Sequence, residues 1–67
     1  MFIEFHTASG RTKLNVRHIV QVTSSSSDGG TDIILVNGGV ITVTASYRDV
    51  CDSIERLVAD YMEHVAR

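Results

Sequence analysis

The stretch Asp32-Ile33-Ile34-Leu35-Val36-Asn37-Gly38-Gly39-Val40-Ile41-Thr42-Val43 narrows the choice of fold more than any other part of the chain. Two aliphatic, β-branched runs flank an Asn-Gly pair, the strongest short-range hairpin signal. Asn and Gly both accept the positive φ of a tight turn, so strands are expected over residues 31–36 and 40–45. Ile33 to Val36 are all apolar, which places that strand at the centre of a sheet with both faces covered. Its partner alternates, Ile41 and Val43 turning inward and Thr42 and Thr44 outward.

A single long helix is expected to follow. Ser46 is a good N-cap, and Asp49 three residues on completes a capping-box-like arrangement. Asp49 and Asp52 lie at the positive end of the helix dipole. Val50, Ile54, Leu57, Val58, Tyr61 and Val65 then recur at spacings of three and four, one apolar stripe. On the solvent side, Asp52–Arg56 and Arg56–Asp60 are spaced to pair, each for tenths of a kcal/mol. A helix over residues 47–66 is roughly 30 Å long at 1.5 Å per residue, against about 20 Å for a typical strand. Its last turns therefore overhang the sheet, which makes Tyr61, Met62 and Val65 candidates for an intersubunit contact.

The first half of the chain reads as three further strands, over residues 2–7, 12–16 and 19–24. Met1, Ile3 and Phe5 alternate with Phe2, Glu4 and His6, and Phe2 breaks the polar face, where a partner or the helix end would touch it. Ala8 to Arg11 is a turn with Gly10 at positive φ, and Leu14 points inward. Asn15 to His18 either pairs on as strand or makes a helical turn capped by Asn15; the irregular form is favoured because Asn is poor in strands. In the third strand, Val20 and Val22 share one face, and Ile19, Gln21 and Thr23 the other. The expected fold is α+β: a small antiparallel sheet of about five short strands followed by one C-terminal helix, a single domain over residues 1–67.

A chain of 67 residues buries only about 60% of its unfolded surface, and such small scaffolds usually need a staple. The lone Cys51 rules out an internal disulfide, and no Cys/His cluster suggests a structural metal. Self-association is the staple left, so a homo-oligomer is expected. Absence of paired cysteines suits a reducing cytoplasm. Six Lys plus Arg against eight Asp plus Glu leave few cations for phosphates, which disfavours nucleic acid. Arg11, Lys13, Arg17 and His18 form the one basic cluster, read as a solvated turn and strand edge. Met1-Phe2-Ile3-Glu4 has neither the basic nor the apolar region of a signal peptide. No run approaches the roughly 20 apolar residues of a membrane span, so no membrane insertion is expected.

Catalytic apparatus is not visible. His6, His18 and His64 have no metal-ligand spacing. Cys51 is flanked by Asp49 and Asp52, whose charges oppose thiolate formation. No carboxylate pair, Ser-His-Asp set or glycine-phosphate motif stands out, so no catalytic residue, cofactor or metal is expected and the chain reads as a non-enzyme. Pockets of roughly 300–1,000 Å³ would have to form between subunits. Ser24 to Gly30 reads as a mobile hairpin loop; as a phosphate nest it lacks a Lys and leads into a strand rather than a helix.

Strand, turn, Leu14-Asn15, an apolar third strand from Ile19, then Ile34-Leu35-Val36-Asn37-Gly38 and a closing helix: this order resembles the FlbD-like family of small flagellar-operon proteins of the swarming-motility type. The similarity runs from about Thr12 to Ile54. The Ser24–Gly30 loop and the C-terminal helix both look longer than that family's. The resemblance implies a non-catalytic accessory protein acting through protein contacts. Protein interaction by a homo-oligomer is thus the leading expectation, with Ile34, Val36, Tyr61, Met62 and Val65 as the candidate surface. One alternative is a phage- or mobile-element-encoded inhibitor of a host protein, presenting the acidic helix face Asp49, Asp52, Asp60 and Glu63. Another is nucleotide or small-ligand binding by the Ser-Gly loop at a subunit boundary.

Overall fold

A computed structural model describes residues 1–25 and 29–65, with backbone alone for 64 and 65. The chain is α+β, with strands β1 (Phe2–Thr7), β2 (Gly10–Asn15), β3 (Ile19–Ser24), β4 (Thr31–Leu35) and β5 (Val40–Val43), then helix α1 (Tyr47–Val65). All pairing is antiparallel, but the strands form two sheets rather than one: β1-β2, and β3-β4-β5 with β4 in the middle.

The split begins at Asn15. Its side chain accepts from the Arg17 N–H at 3.1 Å and caps a 3₁₀ helix, Val16–His18, so β2 ends at Asn15 and not at residue 16. An Asn side chain competes for backbone donors that a strand would use in its ladder. The turn redirects the chain between the sheets. Two backbone bonds hold it, from Val16 N–H to Met1 O at 2.9 Å and from Val36 N–H to His18 O at 2.7 Å. At the other end, Thr44 N–H donates to His6 O at 2.9 Å, joining β1 to the chain just beyond β5.

The turns depart from the sequence reading in detail. Gly10 has φ +143° as expected, but pairing resumes immediately, with Thr7 opposite Gly10, so β2 starts two residues earlier than residue 12. The β4–β5 connection is a three-residue loop, because Leu35 N–H bonds Gly39 O at 2.8 Å and Gly38 N–H bonds Leu35 O at 2.9 Å. Only Gly38, at φ +87°, takes the left-handed conformation. Asn37 instead accepts from Gly39 N–H at 2.9 Å, the local side-chain bond that makes Asn a turn residue. Val36 thereby belongs to the loop, and β4 ends one residue before it.

Third-strand facing also differs. Ile19 pairs with Leu35 and Gln21 with Ile34, leaving Val20 as the extra residue of a bulge. The inserted residue breaks period-two alternation, so Ile19 and Val22 both pack toward the core while Val20 and Gln21 are exposed. Without the bulge, residues three apart would point to opposite faces.

Phe5, Leu14, Ile33, Val43 and Val50 form the buried core, one residue from each of β1, β2, β4, β5 and α1. Ile54 packs against this cluster. Farther along, Tyr61 is 42% and Met62 59% exposed, as a helix longer than its sheet requires. Ser46 Oγ accepts from Asp49 N–H at 3.2 Å and caps α1. Neither Asp52–Arg56 nor Arg56–Asp60 is closed, whereas Arg11 and Glu4, both exposed, pair at 3.9 Å.

Candidate protein-interaction surfaces

Strand register sorts the β3-β4-β5 residues into two faces. Inward lie Val22, Ile33 and Ile41 in one cross-strand row, with Thr31 and Val43 in another. Outward, Gln21, Ile34 and Val40 make one row, and Thr23, Asp32 and Thr42 the next. The second row is polar and internally paired, since Thr42 Oγ1 donates to Asp32 Oδ1 at 2.7 Å. The first is apolar, and the bulge adds Val20 beside it. Val36 follows as the first residue of the β4–β5 loop. Val20, Val36 and Val40 are 64%, 68% and 59% exposed, and Ile34 is half-buried. The outer face is thus apolar toward the β4–β5 loop and polar toward the other end.

A second surface lies where β1 meets α1. Phe2, Ile3 and Glu4 on the strand, with Ser53, Arg56, Leu57 and Asp60 on the helix, enclose a groove of about 350 Å³. Phe2 is 65% exposed. A smaller hollow of about 160 Å³, bounded by Ala8, Gly30 and residues 42–44, has no ionisable side chain in its wall.

These surfaces separate the sequence-selected residues. Ile34 lies on the outer face of the three-stranded sheet and Val36 in the loop that follows β4, whereas Tyr61 and Met62 lie on the helix overhang. Val65 belongs to the last turn of α1, and its side chain lies outside the described residues. Val20 and Val40 escaped selection. Val40 was legible, since it precedes the inward Ile41; Val20 needed knowledge of the bulge.

The groups with chemical potential are dispersed. Among the described residues no three His, Cys, Asp or Glu side chains gather as a metal site, and no buried side-chain polar atom lacks a hydrogen-bond partner. Cys51 is free and half-buried. A side-chain hydrogen bond with Cys51 raises the Tyr47 pKa, helped by the charge of the Cys51 thiolate, by desolvation and by the Glu55 carboxylate. The Ser24–Gly30 loop is closed by Ser25 N–H to Gly30 O at 2.9 Å, and residues 26–28 lie outside the described residues. Among the described residues no helix is long and apolar enough to cross a membrane.

No family model, curated protein or solved structure matches the chain.

Proposed function

We propose that this chain is a non-catalytic protein-interaction module working as a cytoplasmic homo-oligomer, with a FlbD-like motility accessory protein as its specific form. The observation that carries the reading is the outer face of β3-β4-β5. Ile34 and Val40 are cross-strand neighbours there, with exposed Val20 in the adjoining bulge and exposed Val36 in the adjoining loop, and exposed apolar residues grouped in this way mark contact sites. The dispersal of titratable groups and the plain wall of the smaller hollow support a binding role over a catalytic one. Its occupant is a protein presenting an aliphatic face of its own. Self-association is supported separately by the small buried core, since a chain of this size without a disulfide gains stability from a second copy.

The test is a pull-down with wild type and Val36→Asp/Val40→Asp, coupled to sedimentation of the purified chain. Substituting these exposed residues should leave the helix signal intact and abolish capture of the partner. Capture that survives a folded double variant would remove this face from the proposal. A wild-type chain that sediments as a monomer at micromolar concentration would remove the homo-oligomer.

A further inference from the structure

The hydrogen bonds around β1-β2 fix which backbone groups its edges present. His6 O accepts from Thr44 N–H at 2.9 Å, so the His6 carbonyl points away from β2. His6 and Arg11 are therefore opposite residues that do not bond each other, and the same holds for every second pair of the ladder. Val16 N–H, bonded to Met1 O at 2.9 Å, gives the same phase from the other end. Pairing runs in unbroken register from Phe2 opposite Asn15 to Thr7 opposite Gly10. Glu4–Lys13 and His6–Arg11 are thus pairs without mutual bonds. On β2, the N–H and C=O of Arg11 and Lys13 face outward.

Among the described residues no strand lies on that edge, because β2 pairs with β1 alone. The other edges are less open. On β1 the Thr44 bond occupies His6, β5 with its four residues runs straight into that junction, and β3 is interrupted at Val20. β2 has six residues, and its side chains sort as its backbone does. Arg11 and Lys13 are exposed, whereas Thr12 is half-buried and Leu14 buried on the opposite, core-facing side. A row of unpaired backbone groups is where an extended peptide adds as a strand, main-chain bonds giving affinity and alternate side chains specificity. Opposite charges directly across a ladder stabilise it, and like charges oppose it. A second β2, laid antiparallel about Thr12, would set cation against cation, so this edge disfavours a copy of itself. An acidic strand is its complement. Glu4 lies on β1, at twice the strand spacing and so about 10 Å from a newcomer, and its exposed 3.9 Å pair with Arg11 is weak.

We propose that β2 receives an extended acidic segment of a partner protein as an added antiparallel strand. Two acidic residues of that segment, two positions apart, stand opposite Arg11 and Lys13 and exchange backbone bonds with them. An apolar residue between the two turns inward beside Thr12. This surface is separate from the outer face of β3-β4-β5 and does not depend on self-association.

A terminally blocked peptide alternating Glu with Val is the probe, titrated into the full-length chain and followed by amide hydrogen exchange. Exchange at the Arg11 and Lys13 amides should be fast in the chain alone and slow on binding. Thr12 and Leu14, already bonded to β1, should change less. Replacing every Glu of the peptide by Lys should weaken binding about tenfold or more, and so should methylating the Glu nitrogens, which removes the donors to β2. Methylating the Val nitrogens, which point away from β2, should weaken it less. Arg11→Glu/Lys13→Glu, shown to be folded by circular dichroism, should prefer the Lys peptide. Failure of the Glu peptide to bind wild type would overturn the proposal. So would binding that leaves the Arg11 and Lys13 amides unprotected or that ignores methylation of the Glu nitrogens, since charge alone would then hold the peptide.

Discussion

The fully buried hydroxyl of Thr31 donates a 2.8 Å hydrogen bond to the carbonyl of Ala45. Thr31 opens the central strand and Ala45 leads into the helix, so one bond ties the sheet's middle to the start of α1. Replacing Thr31 by Val keeps the shape but leaves the carbonyl without its donor. Thr31→Val should lose about 1–3 kcal/mol of stability in urea unfolding, and Thr31→Ser, which keeps the hydroxyl, should lose less. Equal losses from both would mean that the methyl group matters and the bond does not.

Neighbouring residues on β4 face opposite ways. Leu35 packs against the core, whereas Ile34 lies in the outer row. Leu35→Asp places a charge among apolar groups, at a cost of several kcal/mol, and should unfold the chain. Ile34→Asp should keep native circular dichroism. Native spectra from the Leu35 variant would show the facing of β4 to be the reverse.

Backbone strain alone governs Gly38. A Cβ there meets nothing within 4 Å, but φ is +87°, which costs an L-residue about 1–2 kcal/mol. Gly38→Ala should be destabilised by that amount. A synthetic chain with D-alanine at 38, whose mirror preference suits the angle, should recover the loss. If the D-residue destabilises equally, crowding and not φ is responsible.

Tyr47 supplies a pH signature. Its raised pKa, due first to the hydrogen bond with Cys51, means that the folded chain holds the phenolic proton more tightly than the unfolded chain does. The resulting stability is present below the ordinary value of 10.0 and is lost as pH rises through the higher folded value. Phenolate absorbance should therefore show one tyrosine titrating at higher pH in wild type than in Cys51→Ala. Superimposable titrations would exclude the contact.

Local chemistry made much of this fold readable. Alternation in residues 1–7 and 40–44, the Ser46 cap and the Val50–Leu57 stripe each announced an element, and each is present. Facing failed in β3, because a bulge leaves no mark in a run such as Ile19-Val20-Gln21-Val22; it arises from pairing with a distant strand. Division into two sheets failed for a related reason. Asn15 signalled an irregular step, but only bonds reaching back to Met1 and across from Val36 decide where that step points. Of the outer surface, Ile34 and Val36 were visible in the hairpin sequence. The β1–α1 groove was foreshadowed only by Phe2 interrupting a polar face, because the groove joins segments some fifty residues apart.

The Val20 bulge bears on how the molecule ends its sheet. β3 pairs on one side alone, with β4, and a regular edge strand is a template for adding strands without limit. An extra residue bends the strand and spoils the spacing a newcomer would need to match. The apolar surface near Val20 therefore borders a sheet edge that a regular incoming strand cannot match in register.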